Sequence, residues 1–129
     1  MKTVEKILPI LARVLIALIF ILSGASKIAN FDGTVGYITS KGLPLASIAA
    51  IMAIIVELGG GLMLVFAYRA RVAAFLLAGF TVVAAFIFHN FWGMPADEMQ
   101  NQMIHFMKNL ALAGGLLMVV VHGASAKAE

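Results

Sequence analysis

The chain has 129 residues, 63% of them hydrophobic and 12% charged, with a mean hydropathy of +1.05; water-soluble domains carry about 25% charged residues, so this composition belongs in a membrane. Nine Lys/Arg against six Asp/Glu leave a net charge of +3, too small and too scattered for a nucleic-acid-binding face. With no cysteine, the chain forms no disulfide, thiolate-ligated haem or cysteine-held iron–sulfur cluster.

The first apolar run predicts a crossing over 7–27, interrupted by Pro9, Arg13, Ser23 and Gly24 and closed by Lys27. About 20 residues at 1.5 Å each span the hydrocarbon layer. A second crossing is expected over 45–68, after Pro44, whose missing N–H is tolerated at a helix start. It contains Glu57 and the run Gly59-Gly60-Gly61. The short link Tyr68-Arg69-Ala70-Arg71 leads into a third crossing over 71–89, closed by His89-Asn90. A fourth is expected over 103–121, with His105, Lys108 and Asn109 ahead of the continuous apolar stretch 110–121. The segments 28–44 and 90–100 are the two longer connections. A soluble four-helix bundle would show a polar stripe along each helix, and these helices have none. The expectation is an all-α polytopic membrane protein, a four-transmembrane-helix bundle forming a single membrane domain over 1–129.

Lys2 and Lys6 ahead of an apolar run, with Ser23-Gly24-Ala25 beyond it, give the first segment the look of a secretory signal. Arg13 inside the run and the run's length argue that it is retained. Sorting basic residues by side gives Lys2, Lys6, Arg69, Arg71 and Lys127 on the terminal face. The opposite face has Lys27 and Lys41, offset by Asp32, Asp97 and Glu98. The positive-inside rule then places both termini in the cytoplasm. In a bacterium the location is the inner membrane and the long connections face the periplasm. Phe88, Phe91 and Trp92 on one side and Tyr68 on the other suit interfacial anchors.

Glu57 is expected deep in the second crossing, where a lone carboxylate is costly and must be paired, protonated or set in a wet cavity. Arg13 enters from the terminal side, and either snorkels to the surface or pairs with Glu57 or another internal acceptor. Glu57 and Arg13 are the candidate catalytic residues, steadying charge or relaying a proton. A second polar group comprises His89, His105, Lys108 and Asn109, the last three on one helical face by their spacing of three and four. Together with Trp92 they are the candidate cofactor-binding residues. Interfacial hydrogen bonding, a quinone-headgroup pocket and a two-imidazole haem or metal site all fit this group. Haem is disfavoured because its ligands would be expected deeper, and two histidines without a third ligand make a poor zinc site. No metal site is assigned. Met99, Met103 and Met107 at every fourth position fill apolar gaps more readily than they bind copper. Gly59-Gly60-Gly61 and Gly114-Gly115 are expected where helices approach closely.

Five segments together resemble the DoxX family of small four-helix membrane proteins. They are Arg13 with Phe20-Ile21-Leu22-Ser23-Gly24-Ala25-Ser26-Lys27-Ile28; Glu57-Leu58-Gly59-Gly60-Gly61; Phe88-His89-Asn90-Phe91-Trp92; Gln102 with His105-Phe106-Met107-Lys108-Asn109-Leu110; and Gly114-Gly115-Leu116-Leu117. The resemblance implies recurring polar positions at Arg13, Lys27, Glu57, His89, Trp92, Lys108 and Asn109. It also implies a link to membrane redox systems that handle quinones, sulfur compounds or oxidants. Three functional expectations follow: a subunit exchanging electrons with the quinone pool through a periplasmic or membrane redox partner; a non-catalytic anchor for a partner complex; and a small-solute transporter, which with four helices would need a homo-oligomer. Quinone is the one cofactor the pattern suggests, and membrane lipid is the expected surrounding partner.

Overall fold

In the computed structural model, which describes residues 2–123, every regular element is helical and no strand occurs among the described residues. Helix α1 runs Lys2–Ala29, α2 Phe31–Ser40, α3 Ala46–Ile54, α4 Gly60–Val65, α5 Ala70–Phe88 and α6 Ala96–His122. A π-helical turn, Ile55–Gly59, joins α3 to α4 within one continuous rod. Four helices are long and apolar enough to cross a membrane: Lys2–Ala29, Ala46–Val65, Ala70–Gly93 and Ala96–His122. Lys127 lies outside the described residues, so its part in the charge sorting has no structural counterpart.

The four crossings stand near their expected positions, but the two long connections are largely helical. The segment 28–44 continues α1 through Ala29 and then forms α2, too short to cross a bilayer. Its Gly33, Gly36, Thr34 and Thr39 give it little intrinsic helical preference. Packing supplies the rest, with Ile38 buried and the Tyr37 ring stacked on Phe88 at 5.4 Å. In 90–100, a 3₁₀ turn at Phe91–Gly93 precedes α6, which opens behind Pro95 with Asp97 and Glu98 in its first turn. Carboxylates there complement the positive end of the helix dipole.

The core fills the half of the bundle nearest the termini. Ala17 and Phe20 of α1, Leu64 of α4, Ala73, Ala74, Leu77 and Ala78 of α5, and Ala113, Leu116 and Val119 of α6 form one buried cluster. Alanines on the inward face of α5 let neighbouring backbones come close, the means by which helices associate where lipid removes the hydrophobic drive. The chain reverses between α4 and α5 through Ala67 and Arg69, both with left-handed backbones at φ 57° and 46°.

Two of the three consecutive glycines are close approaches. A Cβ at Gly61 would lie 2.8 Å from Ile21 Cγ1 and 3.3 Å from the Ala17 carbonyl oxygen, and one at Gly60 would lie 2.9 Å from Leu77 Cγ. A Cβ at Gly59 or Gly114 would meet nothing within 4 Å. Gly61→Val is therefore expected to cost about 1–3 kcal/mol by overpacking, with Gly59→Ala close to neutral. Thermal unfolding of both variants in mild detergent checks the contrast.

Candidate functional site

The distal half of the bundle, away from the termini, is hollow. A cavity of about 630 Å³ lies between α1, α2, α3 with its π turn, α5 and α6. Its walls are mostly aliphatic, from Ile19, Ala49, Ala53, Val83, Ala84 and Ile87. Its polar side chains include Ser23, Lys27 and Asn30 on one side, Glu57 in the middle, and His89, Lys108 and Asn109 on the other, with Thr34 and Tyr37 of α2 and Thr81 of α5 besides.

Glu57 sits at the centre of the π turn and is only 5% exposed. A π turn breaks the regular i→i−4 ladder and shifts the side-chain faces on either side of it, and such turns recur at functional sites. Here the Glu57 carboxylate is directed into the cavity. Lys27 Nζ lies 2.6 Å from Glu57 Oε1 and donates a hydrogen bond to Ser23 Oγ at 2.7 Å, one helical turn back. The ammonium approaches Glu57 off the hydrogen-bond direction, so the contact is electrostatic. Apart from it, the buried Oε1 has no hydrogen-bond donor among the described residues.

Glu57 thus pairs with Lys27 and not with Arg13. Arg13 is 6% exposed and donates from Nη1 to the carbonyl oxygens of Leu64 and Val65, at the end of α4. It stands in the packed half of the bundle, outside the cavity lining. Among the two expected states of Arg13, the internal acceptor is the one observed, and the surface-snorkelling state is not.

The second polar group divides in the same way. His89, Lys108 and Asn109 line the cavity, whereas His105 and Trp92 do not. His105 stacks on His89, ring centroids 5.1 Å apart and planes 25° from parallel. A porphyrin could enter between these rings only by separating them, so the pair is not a ready haem clamp. Trp92 belongs to an aromatic cluster with Phe86, Phe91 and Phe106, its centroid 6.0, 5.3 and 5.6 Å from theirs. It is 55% exposed, which suits an interfacial anchor. No group of three or more His, Asp or Glu suited to a metal ion occurs among the described residues. Met99, Met103 and Met107 all stand on an exposed face of α6.

Hydrogen bonds hold the cavity's polar groups in place. His89 Nδ1 lies 2.9 Å from Gln102 Oε1; with the carboxamide oxygen accepting, the imidazole is the Nδ1–H tautomer and Nε2 keeps a lone pair. Asn109 Nδ2 donates to the Thr81 carbonyl oxygen at 3.3 Å, which leaves its carboxamide oxygen for other partners. Tyr37 OH donates to the Phe88 carbonyl oxygen at 3.4 Å, tying α2 across the distal end of the cavity.

Three site residues escape a reading of the linear pattern: Lys27, which ends an apolar run and so counts as a surface charge; Tyr37; and Thr81. A signal for Lys27 does exist, in the i, i+4 spacing from Ser23 and its place within the recurring polar positions.

Fold and cavity together define a multi-pass membrane protein with four spanning helices and an intramembrane polar site. The DoxX family pattern matches residues 8–90. Over 120 residues the chain is 37% identical to inner membrane protein YphA of Escherichia coli (strain K12), covering 93% of this chain and 86% of that protein. It is 34% identical to inner membrane protein YqjF of the same organism over 126 residues, covering 98% and 92%. No solved structure matches. The chain belongs to the DoxX family and is a multi-pass protein of the inner membrane.

Proposed function

We propose that the chain is the quinone-binding subunit of a membrane redox system, with the distal cavity as the headgroup site and both termini in the cytoplasm. The observation that carries this reading is the cavity itself: aliphatic walls of suitable size for a ring, with Lys27, Glu57, His89, Lys108 and Asn109 converging on it from four elements. The fit is good for a ring with two opposed oxygens. Ammonium groups of Lys27 and Lys108 donate to carbonyl oxygens, and His89 Nε2 accepts from a hydroxyl. The Asn109 carboxamide does either through its free oxygen or remaining N–H. Glu57 has a buried oxygen still short of a hydrogen-bond donor.

A quinone takes up two electrons and two protons to become a quinol. In this reading the electrons come from a partner protein carrying its own redox centre. The chain orients the ring, excludes bulk water, and passes protons through Glu57 and His89. Lys27 keeps Glu57 charged-paired between turnovers. Arg13 acts at a distance by holding the end of α4, as a positioning residue.

Photolabelling of the detergent-purified chain with an azido-quinone tests the reading. Saturable label on α5, α6 and the Ser23–Lys27 turn is the expected result; no saturable label removes the quinone. If Lys27→Met/Glu57→Met folds and labels as the wild type does, the ion pair is architectural and takes no part in holding the ring; a wild type without saturable label is left with the anchor role.

A further inference from the structure

We propose that the cavity is loaded sideways from the bilayer, through the gap between α3 and α5, so that its substrates are lipid-soluble amphiphiles with a polar ring head and a long apolar tail. The head's identity rests on the quinone reading above, whereas the tail and its route rest on the geometry that follows.

Helix α5 packs against α4 and the π turn but parts from α3: no Cα of α3 lies within 8 Å of one in α5. On the opposite flank α1 and α6 do touch. The side chains of α5 that line the cavity wind from Thr81, next to α6, round to Val83 and Ile87 on the far side. Val83 belongs to the cavity wall and is nevertheless 57% exposed. The cavity therefore reaches the lateral surface of the bundle there, in a membrane-crossing segment. Facing Val83 and Ile87 across the gap are Ala49 and Ala53 of α3, whose small side chains leave it wide.

Two of the other approaches are covered. Towards the termini lies the buried core of Leu64, Leu77 and Leu116. At the distal end α2 lies over the cavity, held by buried Ile38 and by the Tyr37 stack and hydrogen bond to Phe88. The lateral gap is lined by Ala49, Ala53, Val83 and Ile87, without a charged or polar side chain, while the ionisable groups of the cavity belong to α1, α2, the π turn, the end of α5 and α6. A hydrocarbon tail at this gap remains in lipid-like surroundings while the head meets Lys27 and Lys108. A water-soluble substrate would have to cross the hydrocarbon layer to reach it.

The test uses the full chain in lipid nanodiscs with three probes: an azido-quinone bearing a decyl tail, the same azido-quinone without a tail, and a long-chain alcohol bearing a diazirine near its end. Val83→Trp is expected to narrow the gap and weaken labelling by the decyl probe by about tenfold with little change for the tail-less one. Val121→Trp, on a lipid-facing position 66% exposed, is expected to change neither. Equal effects of Val83→Trp on both quinones, or none on either, overturn the lateral route. If neither quinone labels the wild type, the quinone reading fails, and the alcohol decides the route by itself. Saturable alcohol label at Ala49, Ala53 and Val83 upholds it; even label over all lipid-facing helices overturns it.

Discussion

Replacing Lys27 with methionine is expected to lower the stability of the fold by about 3 kcal/mol, the largest single effect foreseen for this chain. The substitution keeps most of the side chain's length and removes the ammonium that lies 2.6 Å from Glu57 Oε1. Glu57 remains only 5% exposed, within a membrane-crossing segment. Removing one member of a fully buried pair typically costs about 3–5 kcal/mol; with Lys27 27% exposed the loss lies at the low end of that range, still a large share of the roughly 5–15 kcal/mol that holds a domain together. Converting both residues, Lys27→Met/Glu57→Met, removes the stranded charge along with its partner, and such double replacements are often neutral. The double variant should therefore recover most of the melting temperature that the single one loses. Thermal unfolding in mild detergent, with the monodisperse fraction on size exclusion as a second readout, checks the pair. A single variant as stable as the wild type would mean that Glu57 does not depend on Lys27.

Arg13→Met ranks second. The last carbonyls of a helix have no partner within it, and at the end of α4 the buried Arg13 guanidinium serves those of Leu64 and Val65. Its charge also complements the negative end of that helix. The Leu64 carbonyl oxygen keeps a second donor in the Ala67 N–H at 3.3 Å, so the substitution chiefly strips the Val65 carbonyl oxygen, and a buried acceptor left unsatisfied costs about 1–3 kcal/mol. Damage should centre on the α4–α5 reversal, where Ala67 and Arg69 already hold left-handed backbones. Arg13→Lys, which keeps the charge but loses the planar fork of donors, should recover only part. Melting temperature and protease nicking near 66–70 report the two expected losses, and a fully stable Arg13→Met would deny Arg13 this capping role.

The spans are legible in the linear sequence because the bilayer imposes so simple a demand: every backbone amide must be paired inside a helix about 30 Å long. The need for a partner at Glu57 is equally legible, since it follows from one carboxylate in an apolar run. Which partner answers it is not. A lysine at the end of an apolar helix ordinarily turns outward to the headgroups, and only the packing of α1 against the bulged helix turns Lys27 inward. The π turn leaves no local mark beyond the neighbouring glycines. Helix α2 is hidden for a related reason, because its weakly helical residues are stabilised by Ile38 and Tyr37 seated on elements distant in sequence. His89, Lys108 and Asn109 are recognisable by type and spacing, but His105 and Trp92 share that pattern. Only the rotation of α6 and the 3₁₀ turn before it separates cavity lining from aromatic anchor.

The register of α1 against the π turn is what brings Lys27 to Glu57, and it can be measured directly. Gly24 lies one turn before Lys27, and a Cβ built there is 3.2 Å from Leu58 Cβ, near the separation of about 3.5–4.5 Å that a disulfide spans. The chain has no cysteine of its own, so Gly24→Cys/Leu58→Cys gives an unambiguous readout in native membranes. Mild oxidation should produce an intramolecular cross-link, seen as a reducible mobility shift that neither single variant shows. Full accumulation of the double variant without any cross-link would place α1 in another register and separate Lys27 from Glu57.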